Sequence, residues 1–145
     1  MPVAIIQTTI DTQQLLERTH STRAGAMLLF VGTTRELTGD RGTDWLDYEC
    51  YEPMALNKLK ELESSAHQQW EITALEIVHR TGKLLPGEAS VAIAVSSPHR
   101  QAAFQCGQWL IDTLKEEVPI WKREQFSDGQ QQWIHPEMEQ SQPHD

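Results

Sequence analysis

Residues 90–126 decide the fold, and their sequence is SVAIAVSSPHRQAAFQCGQWLIDTLKEEVPIWKREQF. The segment Ser90 to Ser96 is rich in β-branched and small apolar residues, which predicts a buried strand. A helix is expected next, because Ser97 is a good N-cap and Pro98 suits the first helical position. Pro119 ends this helix, since proline cannot donate to the helical hydrogen-bond ladder.

The helix presents one apolar face, and a hairpin follows it. The apolar positions recur at helical spacing, at Ala103, Gly107, Leu110, Ile111, Leu114 and Val118. After Pro119, the pattern predicts a strand over Ile120–Phe126, a turn over 127–129 and a return strand over Gln131–His135. This one stretch therefore predicts two of the seven strands, and the return strand follows shortly after it.

The residues before position 90 alternate strands with two further helices. The predicted strands are Val3–Ile10, Ala26–Thr34, Trp45–Tyr51 and Ile72–Thr81. The predicted helices are Thr12–Thr19, capped by Asp11, and one that starts near Pro53 with an apolar stripe of Ala55, Leu59, Leu62 and Ala66. Residues 35–44 are polar, contain two glycines and are expected to form a mobile loop.

Short strands interleaved with about three helices indicate an α+β domain. A chain of 145 residues suits one domain, which we assign to residues 1–135. The polar segment 136–145 is expected to be a disordered tail.

The charge of the chain excludes several classes of partner. Its formal net charge of −9 disfavours sequence-independent binding to nucleic acid or to an anionic membrane. No apolar run approaches the roughly 20 residues that span a bilayer, and no secretory signal is visible. The two cysteines, Cys50 and Cys106, read as small buried apolar residues in the reducing cytoplasm.

The start of the long helix is one candidate site. A helix N-terminus exposes backbone N–H groups and carries a partial positive charge, so His99 and Arg100 in the first turn would repel it unless an anion binds there. One interpretation is therefore a phosphate site. The alternative is that both are ordinary solvated residues.

A second candidate site surrounds the end of the same helix. Lys115, Lys122 and Arg123 fall within nine positions, beside Trp121. Lys115 alone reads as a surface residue that complements the helix dipole. Lys122 follows Pro-Ile-Trp in a predicted strand, where partial burial would favour the neutral amine as a proton carrier or nucleophile.

A third candidate is Arg35, which Gly32 and two threonines deliver to the rim of the sheet, although a solvated loop residue is the simpler reading. Tyr48 is expected to be a packing residue, and His79 and Arg80 to lie on a half-exposed strand face. The sequence contains no P-loop, dinucleotide fingerprint or metal-ligand cluster.

Several strings, taken together, resemble the large, catalytic subunit of molybdopterin synthase. In family order they are FVGTTR (30–35), YECYEPMA (48–55), HRTG (79–82), SSPHR (96–100), DTLK (112–115) and PIWKRE (119–124). The resemblance spans about residues 26–135, and the last two strings in series are the most specific.

The resemblance implies an α/β hammerhead fold with an antiparallel sheet. It also implies a homodimer at the core of a heterotetramer, in which each large subunit binds a small ubiquitin-like sulfur carrier. The carrier ends in a Gly-Gly thiocarboxylate, and its sulfur passes to cyclic pyranopterin monophosphate to form the dithiolene of molybdopterin. No cofactor is implied, and the reaction is expected in the cytoplasm.

The resemblance also implies roles for individual residues. Lys115 and Lys122 correspond to the catalytic pair. Arg35, His99 and Arg100 correspond to ligands of the substrate phosphate and pterin. Phe30, Met54 and Glu124 are candidates for shaping the pocket.

The length of the helix restricts which residues of one chain can contact the same substrate. Sixteen residues separate His99 from Lys115, or about 24 Å at 1.5 Å per helical residue. We therefore expect a composite site, with His99 and Arg100 from one subunit and the lysines from the other. Two alternatives stay open at this point: a non-catalytic domain that binds a phosphorylated ligand, and a purely structural oligomerisation subunit.

Overall fold

Nine strands and three helices form within residues 2–134, the part of the chain that the computed structural model describes. The strands are β1 (Val3–Ile6), β2 (Ala26–Thr33), β3 (Leu37–Thr38), β4 (Arg41–Cys50), β5 (Ala74–Arg80), β6 (Gly82–Leu84), β7 (Ala89–Ser97), β8 (Ile120–Phe126) and β9 (Gln131–Ile134). The helices are α1 (Thr12–Thr19), α2 (Glu52–Gln69) and α3 (Arg100–Glu117). The predicted α+β class with three helices is confirmed.

The first sheet has the strand order β1-β5-β7-β2 and carries helices on both faces. β1 pairs parallel with β5, and the other pairs are antiparallel. One face packs against α2 and α3 around Leu59, Ile77 and Leu110, all fully buried. The opposite face packs against α1 through Leu15, whose helix Asp11 caps as predicted.

The second sheet has the order β3-β4-β8-β9, and β6 pairs with β4 beside it. Tyr48 lies in register with Lys122 on β8 and with Gly82 on β6. Strands on both sides of β4 therefore hold Tyr48 in place, and its side chain lies on the same face of the sheet as that of Lys122.

Helix α3 joins β8 through only two residues. The N–H of Val118 donates to the Leu114 carbonyl at 3.0 Å, and the N–H of Ile120 donates to the Val118 carbonyl at 2.8 Å. Val118 and Ile120 are both buried, so the corner is anchored on either side of Pro119. The prediction that Pro119 separates helix from strand is confirmed.

Two sequence-based predictions about local structure are wrong. Residues 35–44 are not a loop throughout: β3 and the first part of β4 form a hairpin, with Thr38 opposite Arg41 and a turn at Gly39, whose φ is +62°. The prediction missed it because polar residues and two glycines favour a loop when the sequence is considered alone. α3 begins at Arg100 with His99 as N-cap, and Ser97 instead ends β7.

Smaller differences concern element ends. β1 stops at Ile6 rather than Ile10, and the short strand β6 was not predicted. The other predicted elements within residues 2–134 are present. α1 and β8 have the predicted ends, and the others have shifted ends. The predicted return strand is present over Gln131–Ile134. His135 and the segment 136–145 lie outside the described residues, so the domain boundary at 135 and the disordered tail stay predictions.

No helix within residues 2–134 combines the length and apolar character that crossing a membrane requires.

Replacing the core residue Leu59 by Ala should lower the free energy of unfolding by about 2–5 kcal/mol, because the side chain is fully buried between α2 and the first sheet. Urea unfolding measures the change. Lys60→Ala is the matched control: Lys60 is the exposed neighbour on the same helix, and its loss should cost less than about 0.5 kcal/mol. Equal losses in the two variants would contradict the placement of this helix face.

Candidate functional site

A cavity of about 220 Å³ opens between the two sheets, below the C-terminal end of α3. Its walls come from the second half of β2, the end of β3, the middle of β4, the end of β5, the start of β7, the last turns of α3, and β8. The polar and charged lining residues are Thr33, Thr34, Arg35, Thr38, Tyr48, His79, Ser90, Lys115, Lys122 and Glu124. This mixture of cations, hydroxyl groups and one carboxyl group over an apolar floor is typical of a site for a small polar ligand.

Three cationic side chains meet at the cavity. Lys115 lies in the last turn of α3 and is exposed at the mouth, while Lys122 is half-buried on β8. Arg35, exposed just after β2, completes the group. Against a net charge of −9 for the whole chain, this local cluster would attract an anionic ligand to one place.

Glu124 is the buried acid of the cavity, with 2% of its surface exposed. The hydroxyl of Thr38 donates to its carboxylate at 2.6 Å, and the hydroxyl of Thr43 donates to the same oxygen. Because both threonines belong to the β3–β4 hairpin, this carboxylate ties the hairpin to β8. Glu124 thus forms part of the cavity wall.

The backbone around Gly32 brings Arg35 to the rim. A Cβ at Gly32 would lie 2.7 Å from the Val91 side chain, so only glycine lets β2 pass this close to β7. The register shifts between Gly32 and Thr33, and the Thr34 N–H then donates to the Glu88 carbonyl at 2.9 Å. Phe30 sits beside this irregularity and lines the cavity.

The placement predicted for His79 is wrong: it is 4% exposed rather than half-exposed. Its side chain lies on the face of β5 that packs against α3, and its ring meets the ring of Tyr48 edge-on at 5.3 Å. The pKa of His79 is lowered to about 4, mainly by burial. The hydrogen bond to the Arg80 carbonyl acts in the opposite direction, and the nearby charge of Lys115 contributes to the decrease.

His99, Arg100 and Met54 do not line this cavity. His99 and Arg100 are exposed at the opposite end of α3 from Lys115. The Ser97 hydroxyl donates to the His99 carbonyl at 2.5 Å rather than capping the helix. Met54 is 50% exposed on the first turn of α2.

The sequence interpretation missed Tyr48 and His79 as cavity residues. His79 shares its strand face with the buried Leu75 and Ile77, so strand alternation alone would have placed it inward. The sequence pattern around Tyr48 does not indicate a cavity residue, because the position of Tyr48 depends on the pairing of β4 with both β6 and β8.

Within residues 2–134, no cluster of three or more His, Cys, Asp or Glu side chains could hold a metal ion. The polar groups that line the cavity are amines, a guanidinium, hydroxyl groups, a carboxyl group and an imidazole.

The family described as MoaE protein matches residues 5–117. The molybdopterin synthase catalytic subunit of Bacillus subtilis is 43% identical over 135 residues, which cover 93% of this chain and 85% of that protein. The crystal structure of molybdopterin synthase from Staphylococcus aureus matches with a TM-score of 0.85 and 40% identity, over 90% of this chain and 94% of the other. A chain from the complex of subunits 1 and 2 of molybdopterin-converting factor from Helicobacter pylori has the same fold, with a TM-score of 0.75 and 24% identity over 93% of this chain and 90% of the other.

The buried imidazole makes stability depend on pH. Between the folded-state pKa of about 4 and the ordinary value of 6.5, the unfolded chain binds a proton that the folded chain excludes. The His79 contribution to stability is therefore complete above about pH 6.5 and falls by about 3 kcal/mol as the pH drops towards 4. His79→Gln should flatten the curve of unfolding free energy against pH in this window, as measured by urea unfolding.

The control is His20→Gln, since His20 is exposed. This variant should keep the wild-type slope. If His79→Gln also kept it, His79 would not be held neutral in the folded chain.

Proposed function

The chain belongs to the MoaE family, whose matched relatives are catalytic subunits of molybdopterin synthase, and on this premise we propose that it inserts sulfur into cyclic pyranopterin monophosphate. The sulfur comes from the C-terminal thiocarboxylate of a small ubiquitin-like carrier subunit. The observation that carries the proposal is the convergence of Arg35, Lys115 and Lys122 on one cavity of a strongly acidic chain.

Both reactants are anionic, which suits this cavity. The pterin carries a phosphate and the carrier tail ends in a thiocarboxylate, so each gains from a local positive field. The guanidinium of Arg35 can bind a phosphate through two parallel hydrogen bonds. Lys115 lies at the mouth and Lys122 is half-buried, on the wall formed by α3 and β8, and we place the reacting atoms between them.

Each sulfur insertion forms a carbon–sulfur bond on the pterin side chain and breaks a carbon–oxygen bond at the same carbon, whose oxygen leaves with a proton. The acyl carbon–sulfur bond of the carrier breaks as well. Water supplies the oxygen that restores the carboxylate of the carrier. One lysine polarises or covalently holds the acyl group, and the other moves protons at the carbon that receives sulfur. Either Lys115 or Lys122 can fill either role.

The cysteines of the chain do not suit a role as sulfur donors. Burial raises the pKa of Cys106 to about 12, and burial is also the main cause that raises the pKa of Cys50. A thiol attacks as the thiolate, so both are poor nucleophiles at neutral pH. This supports a sulfur source on a second subunit, and we propose that the reaction runs in the reducing cytoplasm without a cofactor.

The site is composite in this proposal. α3 separates His99 and Arg100 from Lys115 by about 24 Å, too far for one small substrate to touch both ends. His99 and Arg100 of one subunit would bind the pterin held at the lysines of the other. The assembly is a homodimer of this chain with one carrier bound to each copy.

Replacing Lys115 or Lys122 by Ala should reduce dithiolene formation by at least about 100-fold, the usual effect of losing a positioned acid, base or nucleophile. The assay combines purified chain, thiocarboxylated carrier and cyclic pyranopterin monophosphate, and mass spectrometry quantifies molybdopterin. Lys60→Ala is the control, since Lys60 is exposed on α2 away from the cavity. Normal turnover in both lysine variants would reject the assignment, and binding without any turnover in the wild type would instead indicate a non-catalytic ligand-binding domain.

Mixed dimers test whether the site is composite. His99→Ala and Lys122→Ala homodimers should each be inactive, while a dimer with one copy of each variant should regain one working site and about half of the wild-type turnover. Differently tagged copies, purified through both tags, give the mixed dimer. If it stays inactive, both residues serve the same subunit and the composite arrangement is wrong.

A further inference from the structure

The proposed mechanism assigns no role to one buried polar side chain of the cavity, that of His79. His79 projects from β5 towards α3, lines the same cavity as Lys115, and is 4% exposed. Its register partners across the sheet are Ile5 and Val91, so apolar strands enclose it on both sides. A histidine in such a place needs hydrogen-bond partners, because burying an unpaired polar group costs free energy.

The hydrogen bond on one ring nitrogen fixes the tautomer. Nδ1 of His79 lies 3.0 Å from the carbonyl oxygen of Arg80. A carbonyl oxygen only accepts, so Nδ1 carries the hydrogen, and in a neutral ring Nε2 then presents a lone pair. Burial keeps the ring neutral at physiological pH.

The groups around this ring are mainly potential donors. α3 contributes Lys115, β4 contributes Tyr48, β8 contributes Lys122 and Glu124, and Arg35 lies at the rim. The Glu124 carboxylate already accepts two threonine hydroxyls, and Tyr48 meets the imidazole through its ring edge. Lys115 is the cation whose charge acts on His79.

We propose that His79 is a positioning residue for Lys115: its Nε2 accepts a hydrogen bond from the Lys115 amine and holds that amine over the cavity. An imidazole suits this task better than a carboxylate. It orients the lysine without adding negative charge, so the cavity keeps its attraction for phosphate. The inference rests on the proposed function only for its effect on turnover, because the hydrogen bond itself can be tested without substrate.

Two substitutions separate the two nitrogens of the ring. The amide of His79→Asn can replace Nδ1 and keep the bond to the Arg80 carbonyl, but offers nothing at Nε2. The amide of His79→Gln reaches the Nε2 position and can accept from Lys115, but gives up the backbone bond. A purely structural role predicts that Asn is the better replacement, whereas a positioning role predicts Gln.

Competitive acetylation, read by mass spectrometry at each lysine, measures the hydrogen bond directly. In the His79→Asn protein, Lys115 should be acetylated about tenfold faster than in the wild type, since it loses an acceptor for its charged form. In His79→Gln its rate should stay within about twofold, and Lys60 should react equally in all three proteins. An unchanged Lys115 rate in His79→Asn would overturn the proposal.

The wild-type protein provides a test that requires no variant to fold. Nitrogen-15 NMR of the histidine rings at pH 6 should show His79 neutral, with the hydrogen on Nδ1. A hydrogen on Nε2 would overturn the proposal, because that nitrogen would then donate rather than accept.

With carrier and pterin added, His79→Asn should lose about tenfold in turnover and His79→Gln should stay near the wild type. Absence of turnover in the wild type would reject the proposed function and leave the acetylation and NMR results standing.

Discussion

The two-residue connection between α3 and β8 is the constraint on which the site depends. It lets the helix end at Glu117 and the strand begin at Ile120, with Val118 and Ile120 buried as anchors on either side of Pro119. A longer or looser connection would let the last turn of the helix slide along the sheet. The tight corner instead fixes Lys115 and Lys122 on adjoining walls of one cavity.

The cavity also differs from the chain as a whole in the sign of its charge. The chain as a whole carries a net charge of −9, yet the cavity wall gathers cations from α3, β8 and the segment after β2. Glu124 is buried in the cavity wall, where the hydroxyls of Thr38 and Thr43 donate to its carboxylate. The imidazole of His79 adds a polar contact but no charge. The cationic cluster would therefore attract an anionic ligand to one place on a chain whose net charge is negative.

The predictions from sequence succeeded where local periodicity decides structure. The apolar face of α3, the stripe on α2 and the hairpin around Gly129 follow from residue spacing and turn chemistry, and the structure contains all three. The hairpin of β3 and β4 was missed because its polar residues and two glycines favour a loop locally, whereas in the fold β4 continues from the hairpin into the ladder with β8. The start of α3 was misplaced because Ser97 continues β7 in register with Ala26, which outweighs its preference for a helix cap.

The same distinction holds for the candidate site. Arg35, Lys115 and Lys122 could be selected from composition and motif, but their meeting at one cavity is a property of the tertiary fold. A crystal structure of the dimer with cyclic pyranopterin monophosphate bound would test the central claim most directly. The pterin should lie in the cavity of one subunit, beside Lys115 and Lys122, with its phosphate near His99 and Arg100 of the other. A pterin bound elsewhere, with both lysines out of contact, would contradict the assignment of this cavity.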